Sequence, residues 1–117
     1  MKVLIAAQID VEPETRADAL SSSKKWIDAA LAQPGCIRYD WSADSSNPAR
    51  INVFEEWESQ ETLVKHFQGE AYSGMRAHIG TFGLIGAQSS KYLIQAEGEV
   101  YDEQGQATAS FQKTRKQ

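Results

Sequence analysis

Six polar or aromatic side chains of this sequence could line one cavity and support proton chemistry in it: Tyr39, Asn52, Trp57, His66, Tyr72 and Arg76. An imidazole titrates near neutral pH, so His66 is the candidate general base. Its plainer reading is a histidine partly buried against a sheet and hydrogen-bonded to a neighbour. Trp57 and Tyr39 read first as core residues and Arg76 as a solvated surface residue. Asn52 stands out only because strands disfavour asparagine.

Other chemistries lack their residues. The run TFGLIGAQ has neither the GxGxxG spacing nor a preceding strand, so no flavin or nicotinamide site of Rossmann type is expected. His66 and His78 lie twelve residues apart, and Glu70, four after His66, sits beside Gly69, so no metal site is expected. Glu55 and Glu56 are adjacent on a strand and point to opposite faces, which is poor geometry for a shared carboxylate pair. A single cysteine, Cys36, excludes an internal disulfide and a CxxC site, and among strand residues it reads as a buried, inert thiol. No nucleophile-elbow sequence is present.

The elements that must position these residues follow from periodicity. Lys2–Ile9 is an apolar run that predicts a first strand, being too short for a signal sequence or membrane span. Pro13 opens a helix expected to run to about Gln33, with Ala17, Leu20, Ile27 and Leu31 on one stripe and Lys24 beside them, ended by Pro34-Gly35. Cys36–Ala43 alternates as a second strand, with Ile37, Tyr39 and Trp41 on one face. The turn-rich DSSNP leads into a third strand over 50–58, in which Ile51, Val53, Glu55 and Trp57 alternate with Asn52, Phe54, Glu56 and Glu58. Ser59 is a candidate N-cap with Glu61 in the first turn, and Leu63, Val64 and Phe67 form an apolar stripe. Helical segments fill 60–79 with a break at Gly69; 81–89 reads as a loop with buried anchors at Phe82, Leu84 and Ile85; Lys91–Glu97 is the fourth strand.

The resulting β-α-β-β-α-β order predicts an α+β, ferredoxin-like antiparallel sheet with helices on one face. The domain spans 1–98, and 99–117 form a C-terminal extension, either a tail or a short hairpin around Gln104-Gly105. Lys113, Arg115 and Lys116 cluster at its end and read as solvated. At 117 residues the chain suits one domain with a real core, and a net charge of −4 argues against a nucleic-acid partner. A cytoplasmic protein with no membrane partner is expected. With apolar and aromatic residues on both faces, the sheet is expected to pair with a second copy as a homodimer.

The segment PGCIRYDW, the turn that follows it and FEEWESQETLVKHFQGEAY together resemble the antibiotic biosynthesis monooxygenase superfamily of dimeric α+β barrels, through Gly35, Tyr39, Glu55, Trp57, Leu63, His66 and Phe67. The resemblance covers residues 2 to about 97. It implies a cofactor-independent monooxygenase that oxidises a small phenolic or quinol-type aromatic with O2, using neither flavin nor metal. In that reading His66 is the base, Asn52 and Arg76 stabilise the developing oxyanion, and Tyr39, Trp57 and Tyr72 hold the ring. Haem-degrading relatives depart from this chain at the end of the first strand (Ala7 and Gln8), at His66 and at Arg76. Two alternatives stay open: an isomerase of a small sugar-derived metabolite, which shares the L/V-x-x-H motif and Glu55, and a non-catalytic dimer that binds a small molecule. Convergence of Asn52, His66 and Arg76 on one cavity would favour an enzyme, and a splayed set would favour a structural role.

Overall fold

Strands of period 2 leave an apolar face that needs a cover, and the helices of this chain supply one. In the computed structural model, which describes residues 1–111, the elements are β1 (Val3–Val11), α1 (Arg16–Ser21), α2 (Lys24–Leu31), β2 (Cys36–Ala43), β3 (Arg50–Trp57), α3 (Gln60–Gln68), α4 (Glu70–Gly80) and β4 (Leu84–Leu93). The strands lie in the order β2-β3-β1-β4, with every neighbour antiparallel. This is the expected ferredoxin-like α+β sheet. Val3, Val11, Ile51, Val53 and Trp57 bury their side chains from β1 and β3, against Ala19, Ala30, Leu63, Met75 and Ile79 of the helices. No helix among the described residues is long and apolar enough to cross a membrane.

The first helical region differs from the single helix expected. A 3-10 turn over Pro13–Thr15 precedes α1, and α2 starts afresh after Ser22-Ser23. The cause is local: Ser22 Oγ donates to Asp18 O at 2.6 Å and the buried Ser23 hydroxyl donates to Ala19 O, competing with the helical ladder. The buried line is Ala19, Ser23 and Ala30, whereas Leu31 is exposed. Gly74 of α4 lies under the Trp26 ring, where a Cβ would meet ring carbons at 2.2 to 2.6 Å. That lack of a side chain lets α2 and α4 approach.

The Ser59 cap forms as expected, with Thr62 completing a reciprocal capping box, and Gly69 separates α3 from α4. Gly35, at φ 85°, turns the chain into β2 and accepts a bond from Glu58 N at 2.8 Å; a Cβ there would overlap Thr62. The apolar stripe on α3 is corrected. Leu63 and His66 are the buried pair, while Val64 and Phe67 are exposed.

The last strand begins earlier than expected. Residues 84–90 are strand rather than loop, because β1 is long enough to pair with β4 from Val3↔Leu93 to Val11↔Leu84. Leu84 and Ile85 are therefore exposed edge residues instead of buried anchors, while Phe82 does pack on the core. After β4, Ile94 N bonds Lys2 O, and Lys2 pairs with Glu97 at 2.8 Å and Glu56 at 3.5 Å. Tyr101 bridges Ala107 around a turn at Gly105. Residues 112–117, with the basic cluster at Lys113, Arg115 and Lys116, lie outside the described residues.

Candidate active site

The β2–β3 ladder carries a bulge between Cys36 and Arg38, so that Cys36 faces Trp57 and Tyr39 faces Glu55. Strict alternation would have put Cys36 and Tyr39 on opposite faces; the extra residue brings both to the helix side, where Cys36 packs against the core. α3 then lays His66 over this patch. Its ring centroid is 4.5 Å from Trp57, 5.5 Å from Tyr39, 5.7 Å from Tyr72 and 5.8 Å from Phe67. Gln33, just beyond α2, reaches His66 Nδ1 with its Oε1 at 2.7 Å. An amide oxygen only accepts, so the imidazole proton sits on Nδ1 and the Nε2 lone pair points away from Gln33. That Nε2 is buried, has no hydrogen-bond partner, and lies 4.0 Å from Glu55 Oε1. The same carboxylate oxygen accepts the Trp57 Nε1–H at 3.0 Å.

Burial sets the protonation of this cluster. His66 is 1% exposed and desolvation pulls its pKa down to about 4, so the ring is neutral at physiological pH. Glu55 is 7% exposed and desolvation pushes its pKa up, with the Trp57 hydrogen bond opposing. Tyr39 is raised as well, by burial first and then by the Glu55 charge. A neutral imidazole facing a carboxyl that resists ionisation is not an ion pair, despite the 4.0 Å approach.

A cavity of about 740 Å³ opens beside the cluster, between the sheet and α3–α4. Ile5, Ala7, Ile9 and Val53 form its apolar floor, and Phe67, Tyr72, Met75, Arg76 and Ile79 line it from the helices. Among the described residues Glu55 is the only carboxylate in its wall, and Lys91 of β4 lies on the opposite side. The cavity reaches the surface because every residue of β4 is exposed.

Of the six residues singled out from the sequence, Tyr39, Tyr72 and Arg76 line this cavity. Trp57 and His66 sit behind its wall, fully buried. Asn52 is not brought to it. The side chain points to the opposite face of the sheet, donates to Asp44 Oδ1 at 2.8 Å, and lines a second hollow with Phe54 and Tyr92. The reason is the alternation of β3 itself, which gives Asn52 and Glu55 opposite faces. Asn52, His66 and Arg76 therefore do not converge on one cavity, the arrangement that favours a structural role, while the cavity is not filled by Phe67 or Trp57, which would have favoured that role as well.

Sequence reasoning passed over Glu55 as a chemical group and missed Gln33, Trp41 and Lys91. A carboxylate between Val53 and Trp57 on an inward face was the available signal for Glu55, since buried acids are rare without a partner or a task. Trp41 lines the cavity with its indole Nε1 buried, its ring centroid 6.5 Å from that of Tyr39. Among the described residues no three His, Cys, Asp or Glu side chains cluster in a way that could hold a metal ion.

Fold and cavity together define a small ferredoxin-like α+β protein with an acid–base group set in an apolar pocket. The chain belongs to the antibiotic biosynthesis monooxygenase family, whose model matches residues 2–78. It resembles a conserved protein from Methanosarcina mazei (TM-score 0.72, 21% identity, 79% of this chain and 91% of that one). It also resembles a protein from Mycobacterium tuberculosis (TM-score 0.72, 21% identity, 85% and 100%) and a candidate antibiotic biosynthesis monooxygenase from Deinococcus radiodurans (TM-score 0.76, 15% identity, 86% and 99%). At such identities the likeness carries the fold. A curated relative, an uncharacterised protein of Synechocystis, is 29% identical over 66 residues, which are 56% of this chain and 45% of that protein. The chain thus matches less than half the length of that relative.

Proposed function

We propose that the protein is a monooxygenase-like enzyme that oxidises a small phenolic or quinol-type aromatic with O2 in the cavity between sheet and helices. The observation that carries this reading is Glu55: a carboxyl in an apolar wall, pushed up by burial, with the unpartnered His66 Nε2 4.0 Å behind it. The role of base passes from His66, which does not reach the cavity, to Glu55, which does. A carboxylate with a raised pKa takes a phenolic proton more readily than an ordinary one. Once protonated, its O–H faces the imidazole lone pair, and a closure of about 1 Å turns 4.0 Å into a normal hydrogen bond that holds the proton. The electron-rich substrate anion then supplies all four electrons that O2 needs. One oxygen atom becomes a new carbonyl on the ring, the other leaves as water, and two hydrogens leave the substrate. Tyr39, Tyr72 and Phe67 border the ring.

The homodimer belongs to the same reading. The sheet face away from the helices exposes Phe54 and Tyr92 around the second hollow of about 420 Å³, a surface suited to a second copy. The burial of His66 is what favours the non-catalytic binding dimer as the second reading. Oxygen uptake by metal-stripped protein with a panel of hydroquinones and anthrones separates the two. Turnover above autoxidation that falls at least about 100-fold in Glu55→Gln supports the enzyme; no uptake with any phenol leaves the binding dimer.

A further inference from the structure

The strand register places four cavity-lining residues of different chemistry on one rung of the sheet. Tyr39 of β2 faces Glu55 of β3, Glu55 faces Ile5 of β1, and Ile5 faces Lys91 of β4. All four line the cavity, so phenol, carboxyl, alkyl group and ammonium follow one another across its floor. Neighbouring strands are about 4.8 Å apart, so the Glu55 and Lys91 backbones stand about 10 Å apart with Ile5 between them. From the helix side Arg76 also lines the cavity. Its hydrogen bond to Tyr72 Oη is long, at 3.5 Å, and neither Arg76 nor Lys91 has an ion-pair partner among the described residues. Lys2, Lys24, Arg38 and Arg50 are each paired with a carboxylate, while Arg16, Lys25 and Lys65, also without an ion pair, do not line the cavity. In a chain of net charge −4, two cations without an ion-pair partner thus line a cavity whose one carboxylate among the described residues, Glu55, stands two strands from Lys91.

We propose that this end of the cavity is an anion subsite, and that the ligand is an aromatic carboxylate whose ring lies over Ile5, with its carboxylate on Lys91 and Arg76 and its reacting end at Glu55. The proposal rests on the reading of Glu55 given above and adds the class of substrate. One or two rings span the distance between the polar ends, and the apolar floor of Ile5, Ala7 and Ile9 suits a flat body. A carboxylate fits better than a phosphate dianion. Phosphates are bound by glycine-rich loops and helix N-termini, and the residues at the start of α4, Gly69 and Glu70, do not line the cavity.

Binding tests this without turnover. Benzoate, 1-naphthoate and anthracene-9-carboxylate are titrated against the protein, each beside its neutral primary amide and with 1-naphthyl phosphate as a further arm, using tryptophan fluorescence and calorimetry at low salt. At least one acid is expected to bind about ten-fold or more tightly than its amide, as charge-assisted hydrogen bonds allow. Arg76→Gln/Lys91→Gln should abolish that preference and leave amide affinity unchanged; both side chains are exposed, so folding is spared. Glu55→Gln should keep the preference, which separates a failure of the subsite from a failure of Glu55 as base. Equal affinity of acid and amide, a preference that survives the double substitution, tighter binding of the phosphate than of naphthoate, or no binding of any probe would each overturn the proposal.

Discussion

His66 is expected to make the protein lose stability as the solution is acidified from pH 7.5 to 4.5. In the unfolded chain a histidine takes its proton near pH 6.5, whereas in the fold burial delays uptake to about 4. Between those values the unfolded state binds more protons than the native state, so stability falls as pH falls through the window. The loss at pH 4.5 is RT ln[(1 + 10²)/(1 + 10^−0.5)], or about 2.5 kcal/mol, a large part of a small domain's stability. With an m-value of about 1.5 kcal/mol/M for urea, the midpoint should move down by about 1.7 M. Two other groups act in or near this range. Glu55, raised in the fold, works with the opposite sign, and Asp44, held down to about 2 by Asn52 and backbone donors, matters mostly below pH 4. A difference measurement in a Glu55→Gln background removes both: urea curves of Glu55→Gln and Glu55→Gln/His66→Gln at pH 7.5, 6.5, 5.5 and 4.5. Their free-energy gap should shrink by about 2.5 kcal/mol across the series. A constant gap, or an imidazole that titrates near 6.5 in the folded protein by NMR, would refute the reasoning. The same NMR experiment should find the proton on Nδ1.

Three further outcomes follow from the packing. Glu55→Gln keeps an acceptor for Trp57 Nε1 but removes a carboxyl whose raised pKa costs stability once pH exceeds the usual carboxylate range; the variant should be the more stable at pH 8, and its advantage should fade towards pH 4 in thermal scans. Gly74→Ala gains about 1 kcal/mol of helix propensity but drives a methyl into the Trp26 ring, an overpacking cost of about 1–3 kcal/mol, so the melting temperature should drop by several degrees. An unchanged or higher value would mean that Trp26 swings aside freely. Ser59→Ala removes the acceptor for Thr62 N and should cost about 1 kcal/mol in urea titrations; an effect near zero would mean that Thr62 alone caps α3.

Much of this architecture was legible because period 2 and period 3.6 are hard to confuse over eight residues or more. β3 shows it best: Ile51, Val53, Glu55 and Trp57 all turn to the helices, as their spacing requires. Ser59 marked the start of α3 for an equally local reason, a hydroxyl cap, and Gly69 marked its end. What escaped were features decided by partners distant in sequence. Nothing in Leu-Ile-Gly-Ala-Gln-Ser-Ser announces a strand, yet the full length of β1 recruits it. The bulge at the start of β2 likewise exists only against Trp57 and Glu56, and it decides which face Cys36 joins. For the site, the sequence offered His66 as the titrating group, whereas depth of burial distinguishes an imidazole behind the wall from a carboxyl in it.

The strand order also imposes a schedule on synthesis. β1 leaves the ribosome before the other three strands and ends as an inner strand of the sheet, yet its partners are Arg50–Trp57 and Leu84–Leu93. At about 5–20 residues per second, the segment VLIAAQIDV waits seconds for β3 and longer for β4. β2 and β3 can close as a local hairpin in microseconds once made, but pairing Val3 with Leu93 must wait for all the residues between them. The cavity, whose floor is β1 and whose open side is β4, is thus completed only with the last of the four strands, and its apolar floor is exposed to chaperones and to other nascent chains until then.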